Sequence, residues 1–136
     1  MKRRQFIKFF IIFTCILFVK PSSLFASINT VRIGQKAPEF LLIGFNKNNP
    51  VKKKWSLNNF SGNWLILYFY PKDFSSGCTL EAKGFQDKLS QYNKLNTSIV
   101  GISADNDKEH ESFCTSAQLG YTLLSDITGE ISKSYD

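Results

Sequence analysis

Residues 64–79 read WLILYFYPKDFSSGCT. An apolar run ends at Pro71, a short polar loop with one glycine follows, and Cys78 comes just before a segment with helical spacing. This pattern predicts a strand, a loop and a thiol at the N-terminus of a helix. Free N–H groups and the positive end of the helix dipole favour the thiolate there, which is the nucleophilic form of cysteine. We interpret Cys78 as a reactive thiol; the alternative is a small buried core residue.

The flanking segments alternate between strand and helix patterns. The predicted elements are, in order, a strand at 39–43, one helical turn at 56–60, a strand at 64–70, an amphipathic helix from 79 to about 95, a strand at 97–103, a helix from 105 to about 119, a strand at 121–124 and a helical start at 130–135. This alternation predicts an α/β fold with parallel strands, in which Trp64–Tyr70 is a central strand covered on both faces. Reactive groups in such sheets lie beyond the carboxyl ends of strands, where Cys78 falls.

Composition and charge narrow the function classes. The 136 residues suffice for one domain, and a hydrophobic content of 43% predicts a core rather than disorder. The net charge is +6, but residues 1–26 hold five basic residues and no acid, so the remainder has 12 basic against 11 acidic residues. Because this body is nearly neutral, we expect no nucleic-acid partner.

Residues 1–26 have the anatomy of a signal peptide. A basic start is followed by an apolar stretch at 9–19 and by small residues that allow cleavage after Ala26. The segment RRQFIK at 3–8 resembles the twin-arginine export signal, and a general secretory signal is the alternative. We expect export of the domain at 27–136 to a periplasm or a thylakoid lumen. Membrane contact is expected only if the leader stays uncleaved as an anchor.

Three cysteines are present, and Cys15 lies in the leader. The other two, Cys78 and Cys114, are far apart in sequence and suit either a structural disulfide or a redox pair. The only histidine is His110, and no metal-ligand spacing is present. We therefore predict neither a metal site nor a cofactor.

Six motifs in order carry a resemblance to a known family. They are GQKAPEF at 34–40, LNNFSG at 57–62, YFYPKD at 68–73, GCTLEA at 77–82, VGIS at 100–103 and LSD at 124–126. With these motifs, residues 31–136 resemble the peroxiredoxins of the Q group, also called bacterioferritin comigratory proteins. The resemblance implies a thioredoxin-like fold, a central sheet with flanking helices, and thiol-dependent reduction of peroxides with thioredoxin or a similar reductant.

The family signature Pro-x-x-x-Thr/Ser-x-x-Cys matches Pro71, Ser75 and Cys78. The resemblance implies that Cys78 attacks the O–O bond and becomes a sulfenic acid. It implies that the Ser75 hydroxyl and nearby backbone N–H groups hold the peroxide oxygens, and that Pro71 shields the sulfur from water. This sequence has Ser75 where threonine is commoner and Ser76 where the group usually has proline.

The resemblance also implies a candidate resolving cysteine. Many members carry a second cysteine five residues after the first, where this chain has Lys83, but a subset places it in the following helix, where Cys114 lies. An intramolecular disulfide between Cys78 and Cys114 would follow; the alternative for Cys114 is a core thiol. In the reduced protein we expect their Cα atoms to be more than ~7 Å apart. We expect His110, one turn earlier, to face solvent.

Two departures from the family leave other functions open. Members use an arginine from a later strand, but the only arginines here are Arg3, Arg4 and Arg32. The chain also ends before the elements that normally close the sheet, so we expect a fold that is incomplete at the C-terminus. The alternatives to a peroxidase are a non-catalytic thiol sensor or binding module, or an inactive truncated product. We expect a monomer.

Overall fold

The structure is a computed structural model and describes residues 31–51 and 53–136. The predicted leader and Cys15 lie outside the described residues. Within the described ranges, no helix is both long and apolar enough to cross a lipid bilayer.

The described residues form five strands and four α-helices; the sequence pattern did not predict the short strand at 54–56 or the break that divides the helix predicted from 79 to about 95. The elements are β1 (Leu41–Phe45), β2 (Lys54–Ser56), a 3-10 turn (Leu57–Phe60), β3 (Trp64–Phe69), α1 (Ser76–Asp87), α2 (Leu89–Lys94), β4 (Thr97–Ser103), α3 (Asp107–Ser116), β5 (Thr122–Ser125) and α4 (Glu130–Ser134). The strands form one sheet in the order β2-β1-β5-β4-β3. Strands β3, β4 and β5 are parallel, whereas β1 pairs antiparallel with both β5 and β2. The predicted α/β class and the parallel strands are confirmed.

The prediction that Trp64–Tyr70 forms a central strand is wrong. In the part of the chain that the structure describes, β3 pairs only with β4 and lies at the edge of the sheet. The Trp64 side chain is 77% exposed, and the middle of the strand is only half-buried. Apolar residues at both odd and even positions indicate that both faces of a strand are covered. They carry no information about whether other strands pair with it on one edge or on both.

The first helix differs from the prediction at both ends. It begins at Ser76 rather than Thr79, so Cys78 belongs to its first turn. It ends at Asp87. The C-cap residue Lys88 has a ψ of 2° and its backbone N–H donates to the carbonyls of Phe85 and Gln86, and α2 then runs from Leu89 to Lys94. The earlier start matters for function, because it places the Cys78 backbone among the N–H groups that have no partner inside the helix.

The sheet has a hydrophobic core on each face. One core cluster includes Cys78, Phe113 and Cys114, and the other includes Val100 and Ile102. Neighbouring residues of β4 belong to different clusters, because successive side chains of a strand point to opposite faces of the sheet. Both described thiols therefore lie on the same side of the sheet.

Candidate active site

Cys78 lies at the third residue of α1, beyond the carboxyl end of β3. Its side chain is 8% exposed and belongs to the core cluster that also contains Tyr70 and Ala82. The sulfur is thus mostly enclosed, at a helix start that favours negative charge. The structure therefore places Cys78 at the N-terminus of a helix, as the sequence predicted, and leaves a small part of the residue exposed to solvent.

Ser75 is the N-cap residue of α1, but its side chain does not cap the helix. Its hydroxyl instead donates to the carbonyl of Lys72 at 3.2 Å. Since the proton is engaged, the Ser75 oxygen has lone pairs left to accept a hydrogen bond from a hydroperoxide. The N–H groups of Ser76, Gly77 and Cys78 are not taken by the cap and provide donors for an anionic oxygen. Pro71, in the same loop, is exposed.

Cys114 lies in α3 and is completely buried. Burial raises the pKa of its thiol to about 12, the negative charge of Asp73 adds to this rise, and Lys47 opposes it. Cys78 and Cys114 are both free thiols that share one core cluster. The burial fits the alternative interpretation of Cys114 as a core thiol, and it means that a resolving role requires α3 to open. The predicted separation of the two Cα atoms stays a prediction.

The expectation that His110 faces solvent is wrong. Its side chain is fully buried, and Nδ1 lies 2.8 Å from Oδ2 of Asp73, which is also buried. A carboxylate oxygen only accepts, so the ring N–H donates to it. The spacing of His110 with Phe113, Cys114 and Ala117 placed it on the buried stripe of α3, and this signal was available in the sequence.

Asp73 connects three parts of the structure. The Tyr70 hydroxyl donates to its Oδ1 at 2.7 Å, and its backbone N–H donates to Asp105 Oδ2 at 2.8 Å. The Ser103 hydroxyl also donates to that Asp105 oxygen at 2.7 Å. The sequence pattern predicted an N-cap and an acidic first turn from residues 105–107; Asn106 is the N-cap of α3, and Asp105 holds the loop that carries Asp73. Sequence reasoning missed this network, since only the fold brings its members together.

The buried Cys114 thiol makes stability depend on pH. Its pKa is raised in the folded state, so the unfolded chain loses the thiol proton first as pH rises through about 9, and stability falls from there towards pH 12. From pH 8 to pH 10 we expect the unfolding free energy of the native sequence to fall by about 1.4 kcal/mol more than that of Cys114→Ala. Urea titrations of both chains at the two pH values measure this difference, and parallel pH dependences would contradict the assignment.

Comparison with known proteins identifies the family. The sequence profile of the AhpC/TSA family matches residues 33–136. The chain belongs to the AhpC/TSA family. A putative peroxiredoxin Bcp of Coxiella burnetii is 42% identical over 106 residues, covering 78% of this chain and 67% of that protein. The chain spans between about half and two thirds of the length of the curated relatives it matches.

Solved structures of the family support the fold. A peroxiredoxin Q of Xanthomonas campestris aligns with a TM-score of 0.65 and 31% identity, covering 71% of this chain and 58% of that one. Two further structures of the Xanthomonas campestris protein align with a TM-score of 0.64 and 29% identity each. Each alignment covers 70% of this chain and 57% of the Xanthomonas campestris chain. Each structure carries one cysteine-to-serine substitution, and the two substituted positions are 36 residues apart. The thioredoxin-like fold and the resemblance to the Q group are confirmed.

The site lacks two kinds of group that sequence reasoning considered. Among the described residues, no cluster of three His, Cys, Asp or Glu side chains is arranged to hold a metal ion. The only arginine in the described ranges is Arg32, which is exposed in the segment before β1.

Proposed function

We propose that this chain is a thiol-dependent peroxidase that reduces hydrogen peroxide and organic hydroperoxides for antioxidant defence. The single observation that carries the proposal is Cys78 in the first turn of α1, beyond the end of β3, in a chain of the AhpC/TSA family. The names peroxiredoxin Bcp and peroxiredoxin Q among its relatives support the same activity.

The first step is oxidation of Cys78. Its thiolate attacks one oxygen of the hydroperoxide, the O–O bond breaks, and the departing alkoxide takes a proton to leave as alcohol or water. Cys78 becomes a sulfenic acid, and the sulfur is oxidised by two electrons. The Ser75 oxygen accepts from the hydroperoxide O–H, and the N–H groups of the first turn of α1 stabilise the charge that develops on the oxygens. In this proposal Pro71 limits the access of water to the sulfur.

The second step joins Cys78 and Cys114. The Cys114 thiol displaces water from the Cys78 sulfenic acid to form a disulfide, and a dithiol reductant of the thioredoxin type then restores both thiols. The two residues are 36 positions apart, the same separation as the two substituted cysteines of the Xanthomonas campestris structures. Since Cys114 is buried, this step requires local opening of α3.

Mass spectrometry after a single oxidation tests both steps. With one equivalent of hydrogen peroxide, the reduced chain should lose about 2 Da, and the peptides of Cys78 and Cys114 should appear joined. In Cys114→Ser, the product should instead be a Cys78 sulfenic acid that a dimedone probe captures. If Cys78 reacts no faster than free cysteine, the proposal fails and a thiol sensor or binding module is the better assignment.

On the sequence alone, we also propose that residues 1–26 direct export to a periplasm or a thylakoid lumen, and that the domain is a monomer. The basic start and the apolar stretch support the first proposal. N-terminal sequencing of the protein from cells should begin at Ser27; retention of Met1 would favour an uncleaved anchor. Sedimentation of the mature protein gives its oligomeric state.

A further inference from the structure

We propose that the buried Asp73–His110 hydrogen bond is a latch that holds α3 closed on the Cys78 loop and sets how often Cys114 becomes accessible. This inference rests on the proposed function, because it concerns the step in which Cys114 meets Cys78. Asp73 and His110 are positioning residues here, since neither is proposed to contact the peroxide.

The pair joins the two segments that carry the thiols. Asp73 lies in the loop between β3 and α1, five residues before Cys78, and His110 lies one helical turn before Cys114. Side chains four residues apart on a helix share one face, so the latch and the Cys114 thiol are on the same buried side of α3. Release of this bond frees the turn that carries Cys114.

The other ties of α3 do not replace the latch. The N-cap box of Asn106 is exposed and connects the helix only with itself. At the opposite end, the Leu119 N–H donates to the carbonyl of Cys114 at 2.8 Å, and Leu119 is fully buried, so the C-terminus of α3 is fixed. The neighbour of Asp73, Phe74, packs edge-on against Phe113 with 5.1 Å between ring centroids, which adds an apolar contact beside the polar one.

Because Asp73 is charged and buried, the hydrogen bond that it accepts from His110 is important for the stability of the closed state. The carboxylate is buried, and in the described ranges its side chain accepts from the Tyr70 hydroxyl and the His110 ring. A buried anion that loses a donor is destabilised, so the closed state depends on His110. The second ring nitrogen of His110, Nε2, is buried and has no hydrogen-bond partner among the described residues. The bond to Asp73 is therefore the one side-chain hydrogen bond that His110 makes in this part of the chain.

Alkylation of Cys114 by iodoacetamide tests the latch without peroxide. The experiment uses the full chain with Cys78→Ser at neutral pH, and peptide mass spectrometry separates Cys114 from Cys15. In His110→Leu we expect Cys114 to be alkylated about tenfold to a hundredfold faster, because a hydrogen bond to a charged group is lost. His110→Asn, whose amide still donates to Asp73, should label within about threefold of the parent.

Matched variants separate the latch from general instability. Ser112→Ala is the control on the same helix, because its hydroxyl is exposed and, among the described residues, bonds only to the Lys108 carbonyl of α3. It should label like the parent. Asp73→Asn combined with His110→Leu should label no faster than the faster of the two single variants, since both remove one interaction. Amide exchange of β4 should stay unchanged in His110→Leu.

The outcomes decide between the latch and its alternatives. Unchanged labelling in His110→Leu overturns the latch and leaves the peroxidase proposal intact, because Cys78 takes no part in the assay. Equal acceleration of β4 exchange also overturns it by showing global unfolding. If His110→Leu does not fold by circular dichroism, His110→Phe decides in the same assay, since its ring has a similar size and no nitrogen that could donate to Asp73. Finally, in chains that retain Cys78, the disulfide should form faster after peroxide treatment in His110→Leu than in the parent. If the two rates are equal, the positioning role of His110 is wrong.

Discussion

Cys78→Ser should lower the rate of peroxide consumption by at least about 10³-fold. The hydroxyl that replaces the thiol is not ionised at neutral pH and is a far weaker nucleophile. Ser75 and the first-turn N–H groups still bind the peroxide, but neither attacks it. Cys114 does not substitute for it, because burial raises its thiol pKa to about 12.

The measurement is peroxide consumption with a dithiol reductant in excess, followed as a second-order rate constant. Cys15→Ser is the matched control, because it removes a thiol of the predicted leader, and it should keep the parent rate. A Cys78→Ser chain that retains a tenth or more of the parent rate would mean that another group reacts with the peroxide.

Gly44→Ala should lower the unfolding free energy by about 3 kcal/mol. Gly44 lies in β1 opposite Leu124 of β5, and a Cβ atom there would overlap the backbone oxygen of Leu123. Backbone in the middle of a sheet does not move aside as the end of a flexible side chain does. The strand pair must therefore separate, or the sheet must distort, to accept one methyl group.

Gly84→Ala is the matched control for the same substitution. Gly84 is exposed in α1, and an added Cβ would meet nothing within 4 Å. Alanine lowers the entropic cost of ordering a helix, so this variant should be more stable by about 0.5–1 kcal/mol. Thermal unfolding of both variants measures the contrast. A Gly44→Ala chain as stable as the parent would show that β1 and β5 pack less closely than the structure has them.

Local patterns in the sequence predicted most of the elements, but not β2 or the break between α1 and α2. The apolar run before Pro71 predicted β3, the helical spacing after Cys78 predicted α1, and the acidic residues after Ser103 predicted the start of α3. Each of these signals is contained within one element, where periodicity and capping chemistry operate. The family motifs added the fold, because their order along the chain is a stronger signal than any single pattern.

Contacts between distant elements were not predictable in the same way. The edge position of β3 depends on which strands pair, and an apolar run does not specify pairing. The spacing of His110 on α3 indicated its burial, but its partner Asp73 lies 37 residues earlier, and only the fold brings the two side chains together. The thiol at a helix start was predictable because it is local, whereas the network that supports it was not.

The Tyr121 hydroxyl, which donates to the carbonyl of Ala82 at 3.1 Å, has a consequence for how the chain moves. Ala82 lies one turn after Cys78, and Gln86, one turn further, accepts from the Gly120 N–H at 2.6 Å. Helix α1 is thus bound to the sheet side of the molecule at two successive turns. If Cys114 resolves Cys78 as we propose, the rearrangement between the two thiols falls on α3, while these two hydrogen bonds keep α1 in place.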